Sequence, residues 1–219
     1  MLDKYFTENR TWVPYSEISN HVIDALVATE DHRFYTHWGI DMVRTLAIPI
    51  NLMRGRVEGG STLSQQLARN LYKEIGLKFS ISRKFREMIT AVQIEQNYTK
   101  QEIIEMYLNT VEYSNSAFGI EAAARTHYNK SAKELTVNEA ATLVGSVNAV
   151  YAYNPRLFPE RSKQRRNIVL LLMKNRGFID SLSYDQFRSD SLYLDYQPPS
   201  KAGRVSRYFG EYVRQKITG

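Results

Sequence analysis

Apolar residues along this chain recur mainly at helical spacing, and the alternating runs typical of strands are scarce. The first amphipathic segment predicts a helix from about Ser16 to Glu30, and the small apolar residues of Ala140–Val150 predict a buried central helix. The segment Pro159–Arg176 ends in basic residues and then a glycine, as helices commonly do. Four helix starts carry the capping-box pattern: Thr62 with Gln65, Thr99 with Glu102, Thr136 with Glu139, and Ser183 with Gln186. The pattern therefore predicts a mostly α domain.

Two segments depart from this pattern. Residues 40–53 are apolar, but Pro49 should kink or end any helix there, and arginines flank the stretch. This stretch is interpreted either as core or as a flap that dips into a membrane interface with its arginines at headgroup level. Pro198–Pro199 predicts a linker, and the few apolar residues beyond it cannot form a core of their own. We therefore expect one domain over residues 1–195, followed by a connector over residues 196–219.

Composition narrows the class of protein. The 219 residues are 43% hydrophobic, which is enough for one sizeable core or two small ones. No apolar run approaches the roughly 18 residues that span a bilayer, and no secretory signal precedes the first amphipathic segment. The chain has no cysteine, which excludes disulfides, a cysteine nucleophile and cysteine-based zinc sites. A net charge of +6 favours an anionic partner: nucleic acid, phosphate or an anionic membrane surface.

Glu30 stands at an unusual place in the first predicted helix. Leu26 and Val22 precede it at intervals of one helical turn, so Glu30 falls on the apolar stripe rather than opposite it. A carboxylate there is costly unless it is paired, and a sheltered carboxylate suits proton transfer. The alternative is a helix-end acid whose side chain turns out to water. A cluster of rings, His32–Trp38, follows directly.

The sequence Gly59-Gly60-Ser61-Thr62 precedes a predicted helix and is a candidate anion site, because free backbone N–H groups at a helix N-terminus bind anions. The glycine spacing resembles that of a P-loop, but Ser61 stands where the lysine should be, which excludes a nucleoside triphosphate site. Thr62 and Gln65 fit a helix cap. Capping does not explain the polar residues Gln66, Arg69 and Asn70 that accompany them.

A charge cluster follows at Arg83, Lys84 and Glu87. On a helix, Arg83 and Glu87 lie at a spacing that continues through Ala91 to Glu95, and Lys84 also lies one turn before Glu87. One interpretation is an exposed ladder of ion pairs worth ~0.3–0.5 kcal/mol each. The other is a second carboxylate of a cleft, held by two cations that also face a phosphate. We expect the apolar face of this helix to pack inward, with Phe85, Met88, Ile89 and Val92.

Several other sites are set aside. No serine lies three residues before a lysine, so an acyl-serine site of the Ser-x-x-Lys type is absent. The four histidines show no metal-ligand spacing, and His37 is expected to be a structural hydrogen-bonding group. The 15 tyrosines are not interleaved with basic residues, as stacking platforms for single-stranded nucleic acid would be.

Five segments, in order along roughly residues 12–178, resemble the signatures of the peptidoglycan glycosyltransferases, glycosyltransferase family 51. These enzymes form the polymerising domain of class A penicillin-binding proteins and their monofunctional relatives. The five segments are Glu30–Gly39, Gly59–Asn70, Arg83–Glu95, Ile103–Asn109 and Gly119–Ala123. The chain departs from the usual family pattern at Arg69, where many relatives have lysine, at His127–Lys130, where they have Tyr-Phe-Gly-Lys, and at Thr110–Asn115.

The resemblance implies a mostly α, lysozyme-like glycosyltransferase domain with a large lobe and a smaller membrane-facing jaw at about residues 40–60. It also implies that residues 196–219 begin a connector toward a transpeptidase domain. The domain would act at the outer face of the bacterial cytoplasmic membrane. Its partners would be lipid II, the undecaprenyl-pyrophosphate-linked glycan and the membrane surface, with no nucleic acid.

The implied reaction joins the lipid-linked growing glycan, the donor, to the 4-hydroxyl of the GlcNAc of lipid II, with inversion to a β-1,4 linkage. On this resemblance Glu30 is the general base, and Glu87 supports the acceptor side or helps to order the donor pyrophosphate. The implied substrate-binding residues are Asp31, Ser61, Thr62, Gln65, Gln66, Arg69, Asn70, Arg83 and Lys84. Asp31 and the rings from Phe34 to Trp38 are interpreted mainly as the scaffold that directs Glu30. A divalent cation, Mg²⁺ or Mn²⁺, would bind with the substrate pyrophosphate, although no metal-binding motif is visible.

Two alternatives stay open from the residues themselves. A lysozyme-like lytic enzyme would cut the same glycan with one glutamate, but cleavage has no pyrophosphate for the basic cluster to hold. A basic helical nucleic-acid-binding module would show steeply salt-dependent affinity and no turnover. The position of the cations beside carboxylates argues against this module.

Overall fold

The computed structural model describes residues 11–45, 60–71 and 81–198. Within these ranges the chain forms helices and a small two-stranded sheet. The helices are α1 (Asn20–Glu30), α2 (Leu63–Leu71), α3 (Ile81–Asn97), α4 (Lys100–Thr110), α5 (Ile120–Tyr128), α6 (Val137–Val147), α7 (Pro159–Asn175) and α8 (Ser181–Ser189). Strands β1 (Glu112–Tyr113) and β2 (Ala117–Phe118) pair antiparallel, with Glu112 opposite Phe118. The predicted mostly α fold is confirmed.

The core forms around α6, which packs against α1 and α7. Residues 140–146 of α6 are all buried, so the predicted central helix is confirmed, although it ends at Val147 rather than Val150. A second group of helices brings α2 against α3 and α4. This group carries the helix after the glycine-containing turn and the charge cluster, so packing places both predicted anion-binding features on adjoining helices.

The helix caps follow the sequence at most of the predicted starts. Complete capping boxes form at Thr99 with Glu102 and at Thr136 with Glu139, as predicted. At Thr62 only half of the box forms: the hydroxyl accepts the Gln65 backbone N–H at 3.2 Å, while the Gln65 side chain turns to Lys84. The Gln65 side chain therefore contacts Lys84 instead of completing the helix cap.

Two helix starts differ from the prediction. The Asp180 carboxylate caps α8 by accepting the Ser183 backbone N–H at 2.7 Å, so Ser183 lies inside the helix and its predicted capping box is wrong. α1 begins at Asn20 with Ser19 as its cap, four residues later than predicted from Ser16. In both cases another good N-cap residue was available within a few positions.

The orientation of α3 differs from the prediction, because of the four residues expected to pack inward only Met88 and Val92 are partly buried. Phe85 and Ile89, expected to pack inward, are 61% and 59% exposed. The buried face instead carries Glu87, Ala91 and Ile94. A glutamate can occupy this face because its carboxylate is paired with two cations, described below, which offset the cost of burying a charge.

Gly39 joins the segment after Glu30 to the second group of helices. Its φ is +98°, and a Cβ at this position would lie 2.8 Å from the Ala91 carbonyl oxygen of α3. Its own carbonyl oxygen accepts the Thr62 hydroxyl at 2.7 Å. A residue without a Cβ is therefore required where the first signature segment meets both α2 and α3.

We expect Gly39→Ala to destabilise the domain by more than about 2 kcal/mol, because a backbone clash adds to the cost of a left-handed conformation. Gly177→Ala is the matched control, since Gly177 has a φ of +78° but nothing within 4 Å of its Cβ position. This control should lose only about 1 kcal/mol. Urea unfolding measures both values, and equal losses would contradict the close approach of Gly39 to α3.

The departure from the family pattern at His127–Lys130 is accommodated by the backbone. α5 ends at Tyr128, and Asn129 adopts a left-handed conformation with a φ of +54°. Asparagine tolerates this region better than most residues that carry a Cβ. It can therefore stand where the resembling family has glycine.

Some predictions lie outside the described residues. They concern most of the jaw at about 40–60, since residues 46–59 are not described, and the connector beyond residue 198. Just before that point, the backbone N–H groups of Asp195 and Gln197 donate to the carbonyl oxygens of His127 and Thr126. None of the helices in the described ranges is long and apolar enough to cross a bilayer. The domain boundary near residue 195 stays a prediction.

Candidate active site

Glu30 ends α1 with a carboxylate that is buried and paired. The residue is 8% exposed. Oε1 accepts the Asn148 side-chain amide at 2.8 Å, and Oε2 accepts the Gln66 side-chain amide at 2.9 Å. The Gln66 carbonyl oxygen in turn accepts the Tyr107 hydroxyl at 3.1 Å. Glu30 therefore lies on the inner face of its helix, as predicted, and does not turn out to water.

Asp31 and His37 form the scaffold beside Glu30. Asp31 is 1% exposed, and its Oδ2 accepts the backbone N–H of Leu63 at the start of α2 at 3.0 Å. The same oxygen lies 2.9 Å from His37 Nε2, and His37 Nδ1 accepts the Gly39 backbone N–H at 3.1 Å. The predicted structural role of His37 agrees with this geometry. The scaffold interpretation of Asp31 agrees with this geometry, and its inclusion among the substrate-binding residues stays a prediction.

Lys84 is the centre of a second cluster, on α3. Its ammonium group donates to Ser61 Oγ at 2.8 Å, to Gln65 Oε1 at 2.8 Å and to Glu87 Oε2 at 3.2 Å. Arg83 lies on the other side of the same carboxylate, with Nε 3.4 Å from Glu87 Oε1. Because Glu87 is 1% exposed, the exposed-ladder interpretation is wrong and the paired-carboxylate interpretation agrees with the geometry.

The electrostatic setting of Lys84 is that of a cation held partly away from water. Burial lowers the pKa of Lys84, Glu87 opposes this shift, and the charges of Arg69 and Arg83 lower the pKa further. Three basic side chains are therefore close enough to influence one another beside a single carboxylate. Such a local excess of positive charge favours an anionic ligand.

Two residues of the predicted substrate-binding set have other surroundings. The Thr62 side chain is fully buried, with its hydroxyl committed to Gly39 and to the Gln65 backbone. This geometry favours a structural role for Thr62, and its place in the substrate-binding set stays a prediction. Asn70 is exposed at the end of α2, and no hydrogen bond joins it to the other site residues among those the structure describes.

Consecutive residues of α2 connect the two clusters. Gln65 accepts a hydrogen bond from Lys84, and Gln66 donates one to Glu30. The resemblance assigns both glutamines to the donor site, whereas the structure places Gln66 directly on the carboxylate of Glu30. A carboxylate and a cationic cluster thus face one helix at adjacent positions, and a substrate could contact both at once.

A cavity of about 370 Å³ opens beside Glu30. Arg44, Asn148, Tyr153 and Arg165 contribute to its lining, and none of the residues that contact Lys84 does. The Arg44 guanidinium also donates to the Glu30 backbone carbonyl at 2.9 Å. Glu30 therefore borders an open space in addition to its contact with Gln66.

A comparison with protein families decides the class of this site. The family described as "Transglycosylase" matches residues 1–174. The chain belongs to the transglycosylase family. The resemblance to the glycosyltransferase domain of class A penicillin-binding proteins is confirmed, and with it the prediction that the chain is an enzyme.

Curated relatives of this transglycosylase domain are longer proteins. The chain is 41% identical to penicillin-binding protein 1A of Aquifex aeolicus over 96% of its length and 28% of the relative. It is 36% identical to penicillin-binding protein 1A of Escherichia coli, with 99% and 25% covered, and 40% identical to penicillin-binding protein 1F of Bacillus subtilis, with 96% and 29% covered. The chain therefore spans between a quarter and a third of the length of these relatives.

A solved structure supports the fold. The crystal structure of penicillin-binding protein 1A from Haemophilus influenzae matches 96% of this chain and 21% of that chain, with a TM-score of 0.54 and 24% sequence identity. At this identity the match concerns the fold alone. The mostly α arrangement is thus the one found in a penicillin-binding protein.

Three residues beside Glu30 were missed by sequence reasoning. Asn148 follows the end of α6, Arg165 lies within α7, and neither stands in a pattern that indicates a site. Arg44 was noted only as one of the arginines flanking an apolar stretch. Asn148 and Arg165 come near Glu30 through the packing of α1, α6 and α7, and Arg44 through its hydrogen bond to the Glu30 carbonyl, none of which local spacing records.

The described residues do not form a site for the implied divalent cation. No group of three or more His, Asp or Glu side chains in the described ranges could hold a metal ion. The carboxylates of Glu30 and Glu87 are already engaged by two amides and two cations. We therefore derive no step through a protein-bound metal.

Proposed function

We propose that this transglycosylase domain polymerises lipid II into glycan strands. The growing chain, linked to undecaprenyl pyrophosphate, is the donor, and the 4-hydroxyl of the GlcNAc of lipid II is the acceptor. The observation that carries the proposal is the pairing of a buried carboxylate with a cationic cluster through Gln65 and Gln66. A polymerase needs both a base and a pyrophosphate site, whereas a lytic glycosidase has no pyrophosphate to bind.

Glu30 is the general base of this reaction. As the acceptor oxygen attacks the anomeric carbon of the donor from the face opposite the pyrophosphate, the Glu30 carboxylate takes the hydroxyl proton. The new bond is therefore β, and the anomeric centre is inverted. Each carboxylate oxygen accepts one amide N–H, which leaves lone pairs for the acceptor hydroxyl.

Lys84, Arg83 and Arg69 stabilise the departing pyrophosphate. Fixed cations that face developing negative charge lower the barrier because they need little reorganisation during the reaction. The three N–H groups of Lys84 are taken by Ser61, Gln65 and Glu87, so a phosphate oxygen replaces one of the neutral acceptors. The Ser61 hydroxyl accepts from Lys84 and keeps its own O–H, which can donate to the phosphate. Glu87 holds the two cations in place, which is a positioning role.

The divalent cation implied by the family enters this proposal only with the substrate. Its ligands would be pyrophosphate oxygens and water, because the described residues form no cation site of their own. The chemistry that such an ion supplies is neutralisation of the leaving group.

We further propose that the domain works at the outer face of the cytoplasmic membrane. Its substrate carries a lipid that stays in the bilayer. Large apolar side chains exposed on α3 and on both sides of Gly39 support this placement, and they include Phe85, Ile89, Trp38, Met42 and Val43. Exposed apolar groups of this kind suit contact with a membrane interface.

The test is incubation of the purified domain with labelled lipid II in detergent or vesicles. We expect long glycan strands and release of undecaprenyl pyrophosphate. Shortening of preformed strands without polymerisation would favour the lytic alternative. Absence of both activities together with salt-dependent binding of DNA or RNA would favour the nucleic-acid-binding module.

A further inference from the structure

Tyr107 lies in α4 and is linked to Glu30 through Gln66, but it has no role in the proposed reaction. It is 1% exposed, and its hydroxyl lies 3.1 Å from Gln66 Oε1. Gln66 Nε2 lies 2.9 Å from Glu30 Oε2. We propose that Tyr107 is a positioning residue that fixes the Gln66 side-chain amide so that its NH₂ group faces the general base. The proposal rests on the role of Glu30 in the proposed function.

The chemistry of the three groups allows one arrangement. An ionised carboxylate only accepts hydrogen bonds, so the NH₂ end of Gln66 must face Glu30 and its carbonyl must face away. A glutamine amide has no intrinsic preference between its two ends. The Glu30 carboxylate therefore sets the orientation, and the Tyr107 hydroxyl holds the amide in it by donating to the carbonyl end that faces away.

Burial strengthens this contact. Tyr107 is almost fully enclosed and Gln66 is half-buried, so the hydrogen bond between them is partly sheltered from water, and removing the hydroxyl leaves the Gln66 carbonyl without this donor. Burial also raises the pKa of Tyr107 well above its usual value, with the charge of Glu30 adding to the shift. The hydroxyl therefore keeps its proton at neutral pH and can donate it to the Gln66 carbonyl.

Loss of the Tyr107 hydroxyl has a definite consequence for the base. The Gln66 amide then lacks this restraint at its carbonyl end, and if the amide moves, the carboxylate loses one of its two amide donors. Losing a hydrogen bond to the charged form disfavours that form. The carboxylate would then also leave the position from which it reaches the acceptor hydroxyl, and small displacements of a reacting group are costly.

The first test compares Tyr107→Phe with Tyr113→Phe. Tyr113 is 0% exposed, and its hydroxyl is buried without a hydrogen-bond partner among the residues the structure describes. Both variants remove one buried hydroxyl, but only the first breaks the link to Glu30. We expect Tyr107→Phe to lower kcat for lipid II polymerisation about tenfold with little change in KM, and to move the acidic limb of the pH–rate profile to higher pH. Tyr113→Phe should change neither.

A double-mutant cycle tests whether Tyr107 acts through Gln66. Gln66→Leu removes the amide and keeps Tyr107, so it should lower kcat at least as much as Tyr107→Phe. Adding Tyr107→Phe to Gln66→Leu should then cause no further loss. Gln66→Leu also tests the link independently if Tyr107→Phe folds poorly, which thermal unfolding will reveal.

The outcomes that overturn the proposal are distinct from failure of the proposed function. If the wild-type protein polymerises lipid II and Tyr107→Phe leaves kcat and the pH profile unchanged, the positioning role is contradicted. An unchanged kcat in Gln66→Leu contradicts it as well. Equal losses from Tyr107→Phe in the wild-type and Gln66→Leu backgrounds contradict action through Gln66. A wild-type domain that does not polymerise lipid II contradicts the proposed function itself.

Discussion

Replacing Glu30 with Gln is expected to reduce lipid II polymerisation by about 10²–10⁴-fold, the usual contribution of a general base. The amide that replaces the carboxylate cannot take the proton of the acceptor hydroxyl. The initial rate of strand formation at saturating lipid II measures the effect. Binding of the lipid-linked substrate should change little, because the cationic cluster is untouched.

The fold should survive this substitution. Glu30 accepts from Asn148 and Gln66, and a glutamine in its place can keep one of these bonds directly. The other is regained if the Gln66 amide reverses and the Tyr107 hydroxyl becomes the acceptor. Glu17→Gln is the matched control, because Glu17 is half-exposed and pairs only with the exposed Lys133. Full activity of Glu30→Gln, or an equal loss in Glu17→Gln, would contradict the role of Glu30 as base.

Lys84→Met should reduce polymerisation by about 10²–10³-fold, comparable to the loss of one fixed group that stabilises transition-state charge. The side chain lies between Ser61, Gln65 and Glu87, so its removal also leaves the Glu87 carboxylate with one cation fewer. Both effects weaken the pyrophosphate site. Lys133→Met is the control, because that ammonium group is 58% exposed and distant in sequence from the site.

The pH dependence of Lys84 provides a second readout. Burial lowers the pKa of Lys84. The side chain is therefore charged at low pH, and it loses its positive charge as the pH rises through this lowered pKa. Activity should therefore begin to fall at a lower alkaline pH than it would if Lys84 had the usual pKa of a lysine. Lys84→Arg keeps its charge over this range, so it should move the alkaline limb to higher pH even where its maximal rate is reduced. An alkaline limb unchanged in Lys84→Arg would contradict the assignment.

For the charge cluster of α3, local spacing predicts which residues share a helix face but not which face is buried. The spacing of Arg83, Lys84 and Glu87 predicts that they share a helix face, and they do. Whether that face lies inside or outside depends on what packs against it. Because Ser61 and Gln65 meet Lys84 there, the charged face is buried and the apolar residues Phe85 and Ile89 are exposed. The usual inference from hydrophobicity gave a different orientation.

The roles of Asp31 and Thr62 could not be separated from binding roles by motif alone. Both stand next to residues of the proposed catalytic machinery, Glu30 and Ser61. Only the structure places the Asp31 carboxylate on the first N–H of α2 and the Thr62 hydroxyl on Gly39. These contacts join the segment after Glu30 to the start of α2, which gives both residues a structural role within the motifs.

The sequence by itself determined the mostly α class, the extent of α7 to within one residue, two complete capping boxes and the chemistry expected of Glu30 and Lys84. These features depend on groups within about one helical turn of each other, so their spacing is visible in the chain. The tertiary structure decided which face of α3 is buried and which groups surround Glu30. Asn148 contacts that carboxylate across 118 residues, and the contact exists only because α6 packs against α1. A hydrogen bond requires two groups to lie within about 3 Å, and for residues so distant in sequence only the packing of the whole core fixes that distance.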